Sequence, residues 1–480
     1  MSAETPAGKS ATADKPGFDG GELAAWSGGR WEPGPPALSG VVVNDSRKVV
    51  PGAVYLALAG ERFDGHSFVA GARAAGACGA IVREGWARDD TPSALPAEFP
   101  LLRVADPEAA LRAMAMGYRR KLGPHCIGIT GSAGKTTVKE FTANVLATRY
   151  VTARSLGNWN NHIGLPLSLL AMEGATRMGV FEIGTNHPGE IGPLAAILRP
   201  EWGIVTNIGA GHIEFFDSVE AIADEKADLL RALPGDGLAF LNRDLEWFER
   251  LRRASRAPVV TISTRGAADF RLVSRGACNE TVEAEETATG ARFRFGLGLG
   301  GEYQVANALF AIAVARRLGV APAAIEAALA VPRALPMRWQ RVELNGVRVV
   351  NDAYNANPLS MRAALESFGE EPGVGRKWLV LGGMLELGER AEKEHVALGR
   401  DVAAGAWAGL IVVGNLGEWI AQGAGEAGFA TGKIYRCVDA AAAARALLAQ
   451  VAPGDGIMLK ASRGSKLEDV LAHWSRMQGT

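Results

Sequence analysis

The sequence has few cysteines, almost no net charge and no long apolar run. Its 480 residues include four cysteines, Cys78, Cys126, Cys278 and Cys437, which are scattered without a Cys-x-x-Cys pair or a histidine at metal-ligand spacing. Their spacing argues against a disulfide framework and a cysteine-based zinc site, and it fits a reducing cytoplasm. No apolar run approaches the roughly 20 residues that a helix needs to cross a bilayer. We therefore expect a cytoplasmic protein.

The charge balance argues against nucleic acid as a partner. Lys and Arg number 51 and Asp and Glu number 52, so the formal net charge is −1. A chain without a global basic field has to bind phosphate at specific local sites. Residues 1–20 are polar and have no apolar core, so they indicate a disordered tail and not a secretory signal.

Residues 127–137 carry the strongest functional signal. They read Ile-Gly-Ile-Thr-Gly-Ser-Ala-Gly-Lys-Thr-Thr, an apolar strand and a glycine-rich turn, with a helix predicted to begin at Thr136. Backbone N–H groups at a helix N-terminus favour anions, and glycines let the main chain approach a polyphosphate. Lys135 would neutralise phosphate charge, and the Thr136 hydroxyl would bind Mg²⁺. The predicted nucleotide-binding residues of this loop are Gly131, Ser132, Ala133, Gly134, Lys135, Thr136 and Thr137.

This motif is shorter than the general Gly-x-x-x-x-Gly-Lys-Ser/Thr pattern. Ile129 stands five residues before Gly134, where that pattern has glycine. The alternative is an ordinary strand-turn-helix connection. The strand, the Gly-Lys-Thr-Thr run and the helix together favour nucleotide binding.

The length and the alternation of elements predict three α/β domains. We expect a small N-terminal domain over residues 21–106, a central doubly wound P-loop domain over 107–332 and a C-terminal Rossmann-like domain over 333–480. In the first domain, residues 44–47 and 60–66 form two polar loops that could hold a diphosphate and a sugar or base. Taken alone, ordinary surface loops are the better interpretation of these two segments.

Three polar residues stand out in the central domain. Glu182 ends a predicted strand near the phosphate loop, where a carboxylate could hold Mg²⁺ or could equally be a capping or surface residue. His212 lies in the loop after another predicted strand. Lys226 lies in a predicted helix beside Asp224, Glu225 and Asp228, and this pattern alone favours a solvated surface lysine.

In the predicted C-terminal domain, three polar loops follow strands. They cover residues 352–358, 382–389 and 460–463. In open α/β sheets, ligands bind beyond the carboxyl ends of the strands, so these loops are candidate binding segments.

These motifs together resemble the Mur ligase family, most closely its MurF type. The Gly-x-x-Gly-Lys-Thr-Thr loop of that family matches residues 131–137, and its Tyr-Asn-Ala-Asn-Pro run matches residues 354–358, the most specific signal in the chain. Residues 157–161, 206–209 and 384–388 support the resemblance, as do residues 45–47 and 64–66 of the first domain. Tyr303, Gly383 and Ala461 depart from the residues usual in the family.

The resemblance implies roles for individual residues. Thr136, Glu182 and His212 match magnesium ligands, and Lys226 matches a lysine that is carbamylated in the family, which implies two Mg²⁺ ions and overturns the surface interpretation of Lys226. Residues matching nucleotide contacts outside the loop are Asn307, Arg338 and Asp352. Residues matching substrate-binding segments are Ser46, Arg47, His66, Asn160, Asn161, Tyr354, Asn355, Asn357 and Ser360.

The resemblance also implies a reaction. Family members of this type use ATP to join D-alanyl-D-alanine to UDP-N-acetylmuramoyl-tripeptide through an acyl phosphate, in the last peptide-adding step of peptidoglycan precursor synthesis. Lys135, Lys226, His212 and Glu182 would stabilise charge in that reaction, and a monomer is expected. The alternatives are another Mur ligase, a folylpolyglutamate synthase-like ligase, a non-catalytic nucleotide-binding scaffold and a GTPase-type switch. No guanine-reading Asn-Lys-x-Asp run follows the phosphate loop, which argues against the last.

Overall fold

The structure is a computed structural model that describes residues 17–38, 40–60, 63–90, 95–331 and 336–477. Most of the predicted tail, the predicted domain boundary at residue 332 and Glu61 and Arg62 of the predicted 60–66 loop lie outside these residues. The chain forms two compact units: one comprises Met1–Cys126, Tyr150–Glu182 and Ala196–Arg199, and the other Ile127–Arg149, Ile183–Ala195 and Pro200–Thr480. This division differs from the predicted domain boundaries, which stay predictions.

The first unit opens with a mixed sheet in the strand order β1-β5-β4-β3-β2. Strands β2 to β5 pair in parallel, and β1 runs antiparallel to β5. Its elements are α1 (Gly20–Ser27), β1 (Arg30–Glu32), β2 (Val42–Val43), β3 (Val54–Leu56), α2 (Val69–Ala74), β4 (Gly79–Arg83), β5 (Leu101–Val104) and α3 (Pro107–Leu122).

Helix α3 shows how the sequence sets these bounds. Asp106 accepts a hydrogen bond from the Glu108 N–H, Pro107 takes the first helical position, and Gly123 ends the helix with a φ of 60°. A capping carboxylate, a proline at the start and a left-handed glycine after the end are the expected helix signals. The observed bounds are those the sequence predicts.

The central segment follows from His125 to Leu329. Its elements are β6 (His125–Thr130), α4 (Lys135–Leu146), β7 (Thr152–Arg154), α5 (Gly164–Leu170), β8 (Met178–Glu182), α6 (Ile191–Leu198), β9 (Trp202–Val205), α7 (Val219–Arg231), β10 (Leu238–Asn242), α8 (Phe248–Ala254), β11 (Val259–Ser263), β12 (Phe270–Arg275), β13 (Val282–Glu286), β14 (Ala291–Phe295), α9 (Glu302–Arg317) and α10 (Pro322–Leu329). Strands β7 and β8 and helix α5 belong to the first unit.

In the second unit the central strands follow the order β14-β13-β12-β11-β10-β9-β6. The strands from β6 to β12 pair in parallel, with Ile127 opposite Trp202 and Thr130 opposite Val205. The carboxyl ends of β6 and β9 therefore lie side by side. Strands β12, β13 and β14 add an antiparallel extension that the sequence did not predict.

The C-terminal segment forms a second sheet in this unit, in the order β15-β16-β20-β17-β18-β19. Only the β15–β16 pair is antiparallel among these pairings. Its elements are β15 (Gln340–Leu344), β16 (Val347–Asn351), α11 (Pro358–Gly369), β17 (Lys377–Leu381), α12 (Ala391–Ala403), β18 (Gly409–Val413), α13 (Asn415–Glu426), β19 (Ile434–Cys437), α14 (Ala440–Gln450), β20 (Gly456–Lys460) and α15 (Asp469–Met477).

The predicted α/β class is confirmed, with the sheets of an N-terminal, a middle and a C-terminal region. Among the described helices, none combines the length and the apolarity that a membrane crossing would require.

Candidate active site

The turn between β6 and α4 has the geometry of a phosphate loop. Gly134 precedes α4 with a φ of 79°, and a Cβ atom there would lie 2.8 Å from Oδ1 of Asn307. Gly131 has a φ of 146°, and a Cβ atom there would collide with Oγ1 of Thr206. Side chains at either position would therefore be strained and would also clash with neighbours. The two glycines are required by this backbone path.

The loop after β9 holds the phosphate loop in shape. Thr206 Oγ1 donates to the Ala133 carbonyl at 2.5 Å, and Asn207 Nδ2 donates to the same oxygen at 3.1 Å. Asn207 Oδ1 accepts from the Ala133 N–H at 2.8 Å, and the Gly209 N–H donates to Ser132 Oγ at 2.9 Å. Sequence reasoning used residues 206–209 only as part of the resemblance. The structure adds that Asn207 clamps the loop through both ends of its amide.

Lys135 and Thr136 lie in the first turn of α4. Lys135 Nζ donates to the Gly131 carbonyl at 2.6 Å, which keeps the ammonium group at the loop. Thr136 is buried. Because the N-terminus of α4 also carries a partial positive charge, the loop combines a fixed cation with backbone donors. This arrangement suits a polyphosphate.

Lys226 is buried in α7, with 3% of its surface exposed. Burial lowers its pKa to about 7, and the nearby Lys135 ammonium acts in the same direction, while Glu225 opposes the shift. Glu225 has other hydrogen-bond partners too, because its carboxylate accepts hydrogen bonds from the N–H groups of residues 189–191 at 2.6–3.0 Å. The interpretation of Lys226 as a solvated surface lysine is wrong.

His212 belongs to the same electrostatic environment. Burial lowers its pKa, and Lys135 and Lys226 lower it further, against the opposing effect of Glu386. Nδ1 of His212 lies 2.5 Å from Oε2 of Glu386, although the two groups are not aligned for an ideal hydrogen bond. The buried Lys226, the half-buried Lys135 and His212 share one environment, which favours an anion beside them.

Glu182 ends β8 in the first unit and is 1% exposed. Its N–H donates to Ser155 Oγ at 2.8 Å. The alternative of a solvated surface glutamate is therefore wrong, while its role as a metal ligand stays a prediction. In the described part of the chain, no three His, Cys, Asp or Glu side chains gather into a metal site by themselves.

The C-terminal segment reaches the phosphate loop through Asn357. Asn357 forms a capping box with Ser360 at the start of α11, and its Nδ2 donates to the Ser132 carbonyl at 3.1 Å. Asn355 Oδ1 accepts from the N–H of Ala356 at 2.9 Å. The structure thus brings the predicted Asn357 together with the loop.

A second group lies at the carboxyl ends of β16 and β20. Asp352 Oδ2 lies 2.5 Å from Nζ of the buried Lys460, and Asp352 Oδ1 accepts from the Trp339 N–H at 3.0 Å. The Arg338 guanidinium lies 3.9 Å from the centre of the Tyr354 ring. Sequence reasoning pointed to the 460–463 loop without giving Lys460 a role. The sequence did not show that Lys460 pairs with Asp352, because the two residues are far apart in the chain.

Comparison with known proteins agrees with this geometry. Residues 41–119, 129–315 and 337–463 match three family descriptions: "Mur ligase family, catalytic domain", "Mur ligase middle domain" and "Mur ligase, glutamate ligase domain". A UDP-N-acetylmuramoyl-tripeptide--D-alanyl-D-alanine ligase of Bacillus subtilis is 35% identical over 435 residues, covering 90% of this chain and 92% of the relative. The chain belongs to the Mur ligase family.

Other Mur ligases give the same result. The ligase of the same name from Escherichia coli is 33% identical, covering 90% of this chain and 92% of the relative. The crystal structure of MurF from Acinetobacter baumannii has a TM-score of 0.81 and 28% identity, covering 96% of this chain and 99% of that one. MurF of Thermotoga maritima, solved in complex with ADP, has a TM-score of 0.74 and 28% identity, with coverages of 91% and 97%.

The predicted substrate residues of this Mur ligase chain lie in the first unit as follows. Arg47 is exposed and pairs with Asp45 at 2.9 Å, and Ser46 opens the same short helical turn. His66 is buried, with Nδ1 2.6 Å from Asp64 and Nε2 accepting from the Arg83 N–H at 3.1 Å. Both ring nitrogens of His66 are thus engaged by the protein. In this conformation His66 shapes the loop.

Asn160 and Asn161 precede helix α5 in the first unit. Asn161 Oδ1 accepts the Gly164 N–H at 2.8 Å and the Ile163 N–H at 3.2 Å, so this side chain supports the start of α5. Asn160 is half-buried beside it. Their predicted substrate contacts stay predictions.

Two departures from the Mur ligase pattern have packing explanations. A side chain at Gly383 would lie 2.5 Å from Cδ1 of Leu416, so the residue usual in the family would not fit beside this leucine. Tyr303 is buried, which raises the pKa of its hydroxyl, and that hydroxyl accepts a hydrogen bond from Ser367 at 3.2 Å.

Proposed function

We propose that the chain is an ATP-dependent amide ligase that joins D-alanyl-D-alanine to UDP-N-acetylmuramoyl-tripeptide in peptidoglycan precursor synthesis. The observation that carries the proposal is a preformed phosphate loop whose Lys135 shares one electrostatic environment with the buried Lys226 and His212. Relatives of that name at 31–35% identity over 88–90% of the chain support the choice of substrates.

The reaction would proceed in two steps. A carboxylate oxygen of the tripeptide attacks the γ-phosphorus of ATP, ADP leaves, and an acyl phosphate forms. The amine of D-alanyl-D-alanine then attacks the acyl carbon, phosphate leaves, and the nitrogen loses a proton. Two anions must approach each other in the first step, so charge stabilisation and positioning are the main tasks of the protein.

The residues of the loop would divide these tasks. Backbone N–H groups at the start of α4 and the Lys135 ammonium would hold the phosphates of ATP. Thr136, Glu182 and His212 would provide oxygen and nitrogen ligands for Mg²⁺, whose bound charge would neutralise the phosphoryl oxygens. The donor types fit a divalent cation, and Thr136 and Glu182 are already buried polar groups.

Lys226 would take part in the reaction as a carbamate. Its pKa of about 7 leaves a large share of the amine neutral at neutral pH, and only a neutral amine attacks CO₂. The N–C bond that forms converts a buried cation into an anion and releases one proton. That change would relieve the repulsion from Lys135 and add a second ligand group for a cation beside His212.

The remaining predicted residues would bind substrates. Ser46, Arg47 and His66 would hold the UDP moiety, and Asn160 and Asn161 would contact the substrate. Asn307, Arg338 and Asp352 would contact the nucleotide, and Tyr354, Asn355, Asn357 and Ser360 would bind the incoming dipeptide or the ATP beside it. The hydrogen bond from Asn357 to Ser132 supports a meeting of dipeptide and phosphate loop.

The test is phosphate release from ATP in the presence of UDP-N-acetylmuramoyl-tripeptide, with and without D-alanyl-D-alanine. Diaminopimelate and lysine forms of the tripeptide should be assayed in parallel. We expect sustained release only when all three substrates are present. Tight ATP binding without release in any combination would favour a nucleotide-binding scaffold.

Lys135→Ala is the sharpest variant for this assay. One preorganised charge at such a site contributes roughly 3–4 kcal/mol to transition-state stabilisation, so kcat should fall by about 10²–10³-fold. Lys433→Ala removes the same charge from an exposed turn of the C-terminal segment and should retain wild-type activity. Near-wild-type phosphate release by Lys135→Ala would contradict the phosphate-loop assignment.

A further inference from the structure

Glu386 is a partly exposed loop carboxylate that contacts a predicted metal-binding histidine. It follows β17 in the loop of residues 382–388, and its Oε2 lies 2.5 Å from Nδ1 of His212. The backbone carbonyl of Glu386 also accepts the Glu214 N–H at 3.2 Å. Both Glu386 and His212 adopt left-handed φ values, 61° and 60°. Two loops from different sheets of the second unit are thus joined at this point.

The Glu386 loop is itself fixed from behind. Nε2 of the buried His395 accepts the Met384 N–H at 2.8 Å. Ser462 Oγ accepts the Leu385 N–H at 2.9 Å, and the Ser462 N–H donates to the Gly383 carbonyl at 3.0 Å. These bonds constrain the residues on the N-terminal side of Glu386. The carboxylate is therefore held on a supported loop.

The position of the carboxylate matters because the two ring nitrogens of histidine are not equivalent. A neutral imidazole carries one N–H donor and one lone pair. A carboxylate beside Nδ1 favours the tautomer with the proton on Nδ1, which leaves the lone pair on Nε2. Histidines that bind metals commonly donate their other N–H to a carboxylate in this way.

We propose that Glu386 is a positioning residue that holds His212 in the tautomer and ring orientation needed to bind a divalent cation through Nε2. The inference rests on the proposed function, in which His212 is a metal ligand. It adds that the C-terminal segment contributes to the metal site of the central segment without binding the metal itself. Docking of the 382–388 loop on residues 212–214 and preparation of His212 would then be one event.

The experiment measures Mn²⁺ binding in the presence of a non-hydrolysable ATP analogue, followed by electron paramagnetic resonance. This readout needs no turnover. Removing the carboxylate beside His212 by Glu386→Ala should weaken Mn²⁺ binding by about 10–100-fold. Glu386→Gln keeps an oxygen that can accept the Nδ1–H and should recover most of the affinity. Electron spin-echo modulation from a histidine nitrogen should be strong in the wild type and weak in Glu386→Ala.

Glu389→Ala is the matched control. Glu389 is exposed three residues along the same chain segment, so this variant removes an equal charge without touching His212. It should bind Mn²⁺ as the wild type does. Unchanged Mn²⁺ affinity and nitrogen modulation in Glu386→Ala, or an equal loss in Glu389→Ala, would overturn the inference.

The Mn²⁺-binding experiment and the phosphate-release assay together separate this inference from the proposed function. If the wild type fails to ligate the proposed substrates but Glu386→Ala still loses Mn²⁺ affinity selectively, the proposed reaction is wrong and the positioning role stands. If the wild type ligates the substrates and the Mn²⁺ affinity of Glu386→Ala is unchanged, the proposed reaction stands and the positioning role of Glu386 is wrong.

Discussion

At the scale of single residues, Lys226 shows how much the environment of a side chain changes its chemistry. Its neighbours in sequence are acidic, yet Glu225 is engaged by the backbone of residues 189–191 and Asp224 pairs with Arg250 at 2.5 Å. The lysine is left inside the protein with a pKa near 7, below its ordinary value of 10.5. A buried amine of this kind is a nucleophile at neutral pH, whereas a surface lysine is almost fully protonated.

We predict that Lys226→Ala lowers ligase activity by about 10²–10³-fold, because the variant lacks an anion beside the reacting phosphates. Formate or acetate at high concentration should restore part of this activity by supplying a carboxylate. Wild-type enzyme incubated with ¹³C-bicarbonate should show a carbamate signal in the ¹³C spectrum.

The pH dependence of that signal follows from the lowered pKa. As the pH falls through about 7, Lys226 becomes protonated and can no longer form the carbamate, so at limiting CO₂ both signal and activity should decrease together. A signal that persists in Lys226→Ala would assign the carbamate to another residue.

At the scale of elements, the candidate site residues lie mainly in loops that follow strands, and the helices packed behind these loops hold them in place. His395 in α12 is an example: Nδ1 lies 2.6 Å from the Ala391 carbonyl, and Nε2 accepts the Met384 N–H. Burial lowers the pKa of His395 below its usual 6.5. Protonation would place a second N–H against the Met384 N–H. The loop therefore requires the neutral ring.

The stability of the protein should reflect this histidine. Because the pKa of His395 is lower in the folded state, the unfolded chain binds more protons below pH 6.5, and stability is lost as the pH falls from about 6.5 through the folded-state pKa. His395→Gln keeps an acceptor for the Met384 N–H but does not titrate. We expect the free energy of unfolding, measured in urea, to fall less between pH 7.5 and pH 5.5 in this variant than in the wild type.

Comparing the free energy of unfolding at the two pH values within each protein separates the effect of His395 titration from the effect of altered packing. Any packing defect of His395→Gln is present at both pH values, so it cancels in the difference. An equal loss of stability in both proteins on acidification would show that His395 does not contribute to the pH dependence.

At the scale of the whole molecule, the central and C-terminal segments of the second unit share one hydrophobic cluster. It includes Val205 of β9, Leu230 of α7, Leu379 of β17 and Leu410 of β18. Polar contacts continue the connection, since Arg275 of β12 holds both carboxylate oxygens of Glu370 at 3.1 Å. This continuity explains why the C-terminal segment and most of the predicted central domain fall within one compact unit, although residues 107–126, 150–182 and 196–199 of that predicted domain belong to the other.

We predict that Glu370→Ala and Arg275→Ala each destabilise the second unit, with a coupling energy of roughly 1–2 kcal/mol in a double-mutant cycle. The pair is about one quarter exposed, so solvent screening keeps the energy modest. Urea denaturation of the two single variants and the double variant measures it. Additive effects of the two substitutions would show that this pair does not connect the segments.

The sequence by itself determined the fold class, the phosphate loop and the C-terminal motif. These depend on local patterns: an apolar strand, the Gly131 and Gly134 turn and the start of α4 directly after Gly134, which neighbours in sequence specify. Even so, the antiparallel strands β12–β14 were missed, because their pairing is decided by contacts distant in the chain.

Only the tertiary structure decided which polar side chains act together. Lys226, which the sequence pattern alone placed at the surface, is buried and has a pKa of about 7. The fold also engages both ring nitrogens of His66 and pairs Asp352 with Lys460. It also brought Glu386 to His212, which lie in loops of two different sheets. Charge and tautomer depend on desolvation and on neighbours far apart in sequence, so no local pattern could specify them.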